Sequence, residues 1–123
     1  MTLLVAIIAS VVPSATIWEN PCDRACRRAK AEARAESRWI RFRRRYTAPY
    51  RGWLASVRAC ESGGNYGIAT GNGYYGAYQF SLSTWYAVGG HGYPHQNPPL
   101  EQDYRAVRLL KIGGPGHWPV CGS

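Results

Sequence analysis

The sequence predicts an α+β domain that is mainly α-helical, contains a small hairpin region and is preceded by a basic helix. Three segments with apolar residues at helical spacing lie between residues 52 and 112, and a pair of glycines follows each of them. Between the first two segments stands a run rich in Gly, Asn and Tyr, which favours turns and short strands. A chain of 123 residues has room for one such domain and an extension.

Residues 1–18 contain an apolar run at positions 3–12, in which Ser10 is the one polar residue. A bilayer-spanning helix needs about 20 residues, whereas this run has the length of the apolar part of a signal peptide. No Lys or Arg precedes the run and a basic block follows it, which is unlike a standard export signal. We interpret residues 1–18 as an atypical signal or N-terminal anchor. The expected location is extracellular or at the cell envelope, with release by lysis, as for phage products, as the alternative.

Residues 19–48 are predicted to form a basic helical extension. Residues 21–51 hold eleven Lys/Arg against three acids, whereas residues 52–123 hold four against three, so the net charge of +8 belongs to the extension. Asn20 would cap the helix and Pro21 would occupy its first position. The Ala, Arg, Glu and Lys composition favours a solvated helix. Its expected partner is an anionic wall polymer or a membrane surface, and nucleic-acid binding is the weaker alternative.

Four cysteines occupy positions 22, 26, 60 and 121. Their spacing does not fit a zinc site, and we expect neither a metal nor a cofactor. On one helix Cys22 and Cys26 would have Cβ atoms about 5–6 Å apart, farther than the 3.5–4.5 Å of a disulfide. Fraying of the first helical turn or pairing between chains is therefore expected. Cys60 and Cys121 bracket the C-terminal part and could close it with a disulfide; two buried free thiols are the alternative.

The compact part is predicted to cover residues 49–123. An amphipathic helix is expected over residues 52–62, a second helix from its cap at Ser81 to Val88, and a third over residues 100–112. Asn72-Gly73 predicts a tight hairpin turn between the first two helices.

Three acids belong to this compact part: Glu61, Glu101 and Asp103. The last two lie at the start of the third helix, where a carboxylate complements the helix dipole. Glu61 lies at the end of the first helix, where the dipole disfavours a carboxylate, and its neighbours in sequence are apolar or aromatic. Both effects raise the pKa of a carboxyl group, as a general acid requires.

The residues around Glu61 suit sugar chemistry. Tyrosines at positions 66, 74 and 75 could stack on sugar rings, and Asn65, Gln79 and Thr84 could supply hydrogen bonds. Glycosidases normally use two carboxylates about 5–9 Å apart, and only one candidate is present. The second group is therefore expected to come from the substrate itself, as its 6-hydroxyl or its N-acetyl oxygen.

The sequence context argues against two other kinds of site. Residues 71–76 match GxGxxG, but no hydrophobic strand precedes them and Tyr-Tyr does not open a helix, which excludes a dinucleotide site. The sequence lacks GxSxG, and its three histidines lie in Pro- and Gly-rich segments where histidines are usually exposed, which argues against a Ser/His/Asp hydrolase.

The motifs of the compact part resemble the catalytic domain of the actinobacterial resuscitation-promoting factors. They occur in unbroken order over some 70 residues: Cys60-Glu61-Ser62-Gly63-Gly64-Asn65-Tyr66, Thr70-Gly71-Asn72-Gly73-Tyr74-Tyr75-Gly76, Tyr78-Gln79-Phe80, Ser83-Thr84-Trp85, Gly89-Gly90 and Trp118-Pro119-Val120-Cys121. The resemblance implies a reduced lysozyme-like, transglycosylase-like fold that cleaves peptidoglycan between N-acetylmuramic acid and N-acetylglucosamine. It also implies that Glu61 is the catalytic acid and that Cys60 and Cys121 form a disulfide. Saccharide-cleft positions fall on Tyr74, Gln79 and Thr84.

The chain departs from the family pattern at residues 113–116. There Gly113-Gly114-Pro115-Gly116 stands where the family has a cleft glutamine followed by Gly-Trp-Gly. Ser81-Leu82 also replaces residues that are commonly acidic or amide-bearing. These departures motivate a second hypothesis, a wall-binding or signalling module that keeps the fold without turnover.

Overall fold

The computed structural model describes residues 22–123. The apolar segment 1–18 and the helix start expected at Asn20-Pro21 lie outside the described residues. None of the helices in residues 22–123 is long and apolar enough to cross a membrane.

Four α-helices make up most of the described chain: α1 (Arg24–Thr47), α2 (Arg51–Ser62), α3 (Leu82–Ala87) and α4 (Pro99–Gly113). Single turns of 3₁₀-helix follow at Ala48–Tyr50, Pro94–Gln96 and Pro115–His117. Helix accounts for 65% of the structure and strand for 3%, which confirms the mainly helical class.

The three helices expected in the compact part are present as α2, α3 and α4, with caps that explain their ends. Gly63 follows α2 in the left-handed conformation (φ 64°), and its N–H donates to the carbonyl oxygens of Ala59 and Arg58. Ser81 caps α3 by accepting a hydrogen bond from the Thr84 N–H at 3.3 Å. These caps leave Glu61 in the last turn of α2.

The core lies where α2, α3 and α4 meet. It is built mainly from large aromatic and branched aliphatic side chains that are almost wholly buried: Leu54, Val57, Tyr78, Phe80, Trp85, Val107 and Trp118. Gly90 lets the chain pass against the Trp85 ring, since an added Cβ would lie 2.2 Å from it.

The tight hairpin expected at Asn72-Gly73 is wrong in its geometry. The structure has two isolated antiparallel bridges, Ala69 with Tyr75 and Tyr75 with Phe80. A five-residue loop, 70–74, connects the two residues of the first bridge. Within it the Asn72 side-chain oxygen accepts a hydrogen bond from the Tyr74 N–H at 3.0 Å, which replaces the backbone hydrogen bond of a two-residue turn. Both glycines beside Asn72 have positive φ angles, which an open loop tolerates without Cβ strain.

Helix α1 begins later than the sequence suggested, and this changes the expectation for its cysteines. Asp23 is the N-cap and accepts a hydrogen bond from the Cys26 N–H. Cys22 therefore precedes the helix and forms a disulfide with Cys26 across a Cα–Cα distance of 5.0 Å. The expected Cβ separation of about 5–6 Å applies only to two cysteines on one helix, and Cys22 lies outside α1. The alternative of a disulfide between two chains is therefore wrong.

Only part of α1 is a solvated helix. Residues 27–38 are exposed, but the last turns pack on α4. There Trp39, Phe42 and Tyr46 surround the Tyr104 ring at centroid distances of 5.1–6.0 Å. The interpretation of this helix as wholly solvated is therefore wrong for its C-terminal turns.

Candidate active site

A cleft of about 410 Å³ lies between the end of α2, the loop at residues 72–79 and the C-terminal tail. Glu61 comes from α2, Asn72, Tyr74 and Gln79 come from the loop, and residues 117–121 form the wall contributed by the tail. No residue of α1 lines this cleft.

Glu61 supplies the carboxyl group of the cleft. Burial raises the pKa of Glu61 above its usual value, because the charged form loses hydration that nothing replaces. Among residues 22–123, none of the four ion pairs involves Glu61. Its position in the last turn of α2 adds the unfavourable carbonyl end of the helix dipole. The arrangement favours a protonated acid that faces open space.

The tail that forms one wall of the cleft is held by contacts with the core. Trp118 is 4% exposed, and its Nε1–H donates to the Tyr78 carbonyl oxygen at 2.9 Å. A disulfide joins Cys60 to Cys121, and the Trp53 Nε1–H donates to the Gly122 carbonyl oxygen at 3.1 Å. Because Cys60 immediately precedes Glu61, the disulfide fixes the tail beside the carboxyl group.

The other two acids of the compact part lie away from the cleft and do more than complement the helix dipole. Glu101 is buried between Arg43 of α1 and Arg105 of α4, with an Arg105 Nε–Glu101 Oε1 distance of 2.6 Å. Glu61 is therefore the only carboxylate among the described residues that line the cleft.

Asp103 is the centre of a second, partly buried network. It accepts hydrogen bonds from the Tyr66 hydroxyl at 2.7 Å and from the Tyr78 hydroxyl, and Arg58 of α2 contacts both Tyr78 and Asp103. Burial, followed by the hydrogen bond to Asp103, raises the pKa of Tyr66 to about 12. The same causes raise the pKa of Tyr78. Both phenols therefore remain donors at neutral pH and tie α4 to the segment that ends at Gln79.

Gln79 occupies the cleft in an unusual backbone conformation. Its φ of 51° places it in the left-handed region, which costs a non-glycine residue about 1 kcal/mol. Its Nε2 donates to the Gly76 carbonyl oxygen at 3.0 Å, as does its backbone N–H at 3.1 Å. Strain of this kind is found preferentially at functional positions, which supports a role for Gln79.

The structure brings some of the residues expected around Glu61 into the cleft and leaves others outside. Tyr74, which is half exposed, and Gln79 share the cleft with Glu61. Thr84 lines an adjoining narrow pocket of about 50 Å³ together with Tyr74 and Gln79. Its hydroxyl oxygen also accepts a hydrogen bond from Ser81 at 2.9 Å.

Three further residues that the sequence suggested as sugar contacts have other partners. Tyr66 belongs to the Asp103 network, Tyr75 stacks on the His95 ring at 5.5 Å, and the Asn65 side chain accepts from the Gly67 N–H at 2.9 Å. None of them lines the cleft.

His117 and Asn72 line the cleft although the sequence did not single them out. His117 is exposed, as expected of a loop histidine, but its ring packs over Gly113, where an added Cβ would lie 2.2 Å from Nε2. The sequence feature that could have indicated His117 is its position next to Trp118, in the tail that Cys121 holds near Glu61. Among the described residues no three potential metal ligands cluster.

Comparison with known proteins identifies the same region. Residues 48–121 match the family model of the transglycosylase-like domain. The resuscitation-promoting factor Rpf of Micrococcus luteus is 56% identical over 64 residues, which are 52% of this chain and 29% of that protein. RpfD of Mycobacterium tuberculosis is 46% identical over 68 residues, 55% of this chain and 44% of that protein. Rpf1 of Corynebacterium glutamicum is 46% identical over 79 residues, 62% of this chain and 40% of that protein.

The matched region spans less than half the length of each of these three relatives. The family model nevertheless covers more than half of this chain and contains α2, α3, α4 and the whole cleft. The chain therefore belongs to the transglycosylase-like domain family and carries the catalytic domain of the resuscitation-promoting factors.

Proposed function

We propose that this protein cleaves the N-acetylmuramic acid–N-acetylglucosamine backbone of bacterial peptidoglycan, with Glu61 as the general acid. The observation that carries the proposal is a single carboxyl group of raised pKa, without an ion-pair partner among residues 22–123, in the cleft of a transglycosylase-like domain. A glycan strand needs an open cleft, and the tyrosine and amide side chains beside Glu61 suit the stacking faces and hydroxyl groups of sugars.

The proposed reaction uses one enzymic acid and one group of the substrate. Glu61 donates its proton to the bridging glycosidic oxygen, and the bond between that oxygen and the anomeric carbon breaks. The 6-hydroxyl oxygen of the muramic acid attacks the anomeric carbon and returns its proton to the Glu61 carboxylate, which leaves a 1,6-anhydro end. Attack by the N-acetyl oxygen, followed by water, gives a hydrolysed end instead. Either route accounts for a cleft with a single carboxylate.

Five further side chains and the disulfide beside the cleft have proposed roles. The exposed Tyr74 ring stacks on a sugar face, and the Gln79 and Thr84 side chains bind sugar hydroxyl or acetamido groups. The Cys60–Cys121 disulfide holds the two walls at a fixed separation. His117 and Asn72 add polar contacts on opposite walls of the cleft.

The rest of the chain is proposed to deliver this domain to its substrate. Residues 1–18 act as an atypical signal or anchor, residues 19–48 as a basic helical extension that adheres to an anionic surface, and residues 49–123 as the cleaving unit. The site of action is then the cell envelope or the extracellular side of the wall.

Replacement of the general acid tests the proposal. Glu61→Gln keeps the size of the side chain but cannot donate the proton, so release of soluble fragments from purified cell walls should fall by about 100-fold or more. Glu36→Gln, at an exposed position of α1, is the matched control and should release fragments at the wild-type rate. Mass spectrometry of the fragments distinguishes anhydro from hydrolysed ends. Equal release by Glu61→Gln and wild type would exclude the mechanism.

A second candidate is a wall-binding or signalling module that does not turn over. The glycine-rich residues 113–116 favour it, because they contribute no side chain to the cleft. Sedimentation of the wild-type protein with insoluble walls, without any soluble fragment, would establish this candidate, and measurable release would remove it.

A further inference from the structure

One face of α1 carries a continuous stripe of positive charge. Six cationic residues follow one another at intervals of three or four positions and therefore lie along one side of the helix: Arg27, Lys30, Arg34, Arg38, Arg41 and Arg45. All six are exposed. At a rise of about 1.5 Å per residue the stripe is about 27 Å long, with neighbouring cations about one helical turn apart.

The acids of α1 are segregated from this stripe. Glu32 and Glu36 project from another side of the helix, and Glu32 pairs with Arg28, which is not part of the stripe. Arg43, also outside the stripe, pairs with the buried Glu101. Within residues 22–123, none of the six stripe residues forms an ion pair. Two cations of α1, Arg28 and Arg43, are thus paired with acids, whereas the six of the stripe form an unpaired outer row.

The domain holds the stripe towards solvent. Trp39, Phe42 and Tyr46 pack on Tyr104 of α4, and these positions lie about a third of a turn around the helix axis from the stripe. The Arg43 guanidinium, 4.6 Å above the Trp39 ring, strengthens the same contact. Since no residue of α1 lines the cleft, stripe and cleft can be occupied at the same time.

We propose that this stripe binds a linear phosphodiester polymer attached to the cell wall. A straight row of exposed cations, five of them arginines that bind phosphate bidentately, is complementary to an extended chain with one phosphate in each repeat. The commitment to a wall polymer rests on the proposed function, which brings the protein to peptidoglycan. Binding of the polymer then raises the local concentration of glycan strands at the cleft.

The chemistry of the stripe disfavours a membrane as its partner. A helix that lies in a bilayer surface inserts Trp, Phe or Leu side chains from the face beside its cations. Here Trp39 and Phe42 each pack on Tyr104 of α4, which leaves them only 39% and 45% exposed. The surface between Arg34, Arg38 and Arg41 is formed by Ala33 and Ser37. A hydrated polyanion attached to the wall needs only the cations.

The test compares two variants of the full chain that lose the same charge. The stripe variant is Arg34→Gln/Arg38→Gln/Arg41→Gln, and the control variant is Arg28→Gln/Arg44→Gln/Arg51→Gln, whose positions lie off the stripe. Sedimentation with intact walls at about 0.1 M salt should be about tenfold weaker for the stripe variant, with at most a small loss for the control. Walls stripped of phosphodiester polymers by acid should retain both variants and wild type equally.

Three results would overturn the proposal. Equal loss of retention by both variants would mean that retention depends on the net charge of the protein and not on the position of the cations in the stripe. Retention of wild type on stripped walls as strong as on intact walls would exclude the phosphodiester polymer. Tighter binding at equal phosphate to vesicles of anionic lipid, or to duplex DNA, would assign the stripe to a membrane or to nucleic acid.

The readouts keep this proposal distinct from the cleavage proposal. Retention is measured in the Glu61→Gln background, so that wall digestion does not interfere. If wild type releases no fragments while retention still depends on the stripe, the cleavage proposal fails and the stripe proposal stands. If fragments are released and retention is independent of the stripe, the stripe proposal fails and the cleavage proposal stands.

Discussion

At Glu61, burial and the helix dipole act on one carboxyl group in the same direction. The sequence could predict the dipole effect because it depends on the local end of α2, which Gly63-Gly64 mark. It could also suggest Tyr74 and Gln79, which lie in the two motifs that follow that of Glu61, within 18 positions of it in the chain. It could not identify His117, because the contact of that ring with the cleft depends on the tail folding back from 56 residues away in the chain.

The raised pKa of Glu61 predicts how its contribution to stability changes with pH. A carboxyl group whose pKa is higher in the folded than in the unfolded state destabilises the fold as pH rises through the unfolded value, about 4.3, towards the folded value. Below both values the group is protonated in both states and has no effect. Glu61→Gln should therefore raise the melting temperature relative to wild type near pH 7 but not near pH 3.5.

Thermal unfolding of both proteins across that pH range checks the prediction, with Glu36→Gln as the control for loss of one negative charge. An advantage of Glu61→Gln that is the same at all pH values would contradict it. The cleavage rate of wild type should also fall as pH rises through the raised pKa of Glu61, because the general acid must be protonated.

At the scale of elements, local signals predicted the positions of helices but not all of their contacts. Caps and glycine pairs were sufficient for α2, α3 and α4. The aromatic residues of α1 at positions 39, 42 and 46 have the spacing of a face that packs on another helix. The many arginines around them led to the prediction that the whole helix is solvated. Antiparallel pairing on the two sides of Asn72-Gly73 is present, between Ala69 and Tyr75. The two-residue turn was wrong for a different reason, since the Asn72 side-chain oxygen accepts a hydrogen bond from the Tyr74 N–H.

The attachment of α1 should depend on Glu101. Its carboxylate lies between Arg43 and Arg105, so Glu101→Gln leaves two buried guanidinium groups without their counter-charge. Breaking a buried ion pair in this way should lower the free energy of unfolding by about 3 kcal/mol. Chemical denaturation measures the loss, and faster tryptic cleavage within α1 would report its release from α4.

Glu36→Gln again serves as control, because it removes the same charge from an exposed position of α1. A denaturation midpoint for Glu101→Gln equal to that of the control would show that the ion pairs do not hold α1 in place.

At the scale of the whole molecule, the three acids of the compact part have three different roles that only the tertiary structure separates. In the sequence Glu101 and Asp103 look alike, two residues apart at the start of a helix. In the structure one pairs with arginines of α1 and α4, and the other binds two tyrosine hydroxyls from the loop side. The sequence could predict that Glu61 differs from both. It could not predict the distant partners that separate the other two: Tyr66 lies 37 positions from Asp103, and Arg43 lies 58 positions from Glu101.

The Cys60–Cys121 disulfide is expected to be a global determinant of both stability and the cleft. It closes a loop of 61 residues and fixes the tail beside Glu61, so Cys60→Ser/Cys121→Ser should lower the free energy of unfolding by about 4 kcal/mol and abolish wall cleavage even where the protein remains folded. The control is Cys22→Ser/Cys26→Ser, which removes a disulfide of separation 4 at the start of α1, outside the core cluster. This control should change neither the denaturation midpoint of the compact part nor the cleavage rate, because the Cys22–Cys26 disulfide encloses none of the core.

An equal loss of stability in both double variants would show that the length of the loop closed by Cys60–Cys121 does not determine how much that disulfide stabilises the fold. If Cys60→Ser/Cys121→Ser cleaves walls at the wild-type rate while folded, the tail does not form a required wall of the cleft.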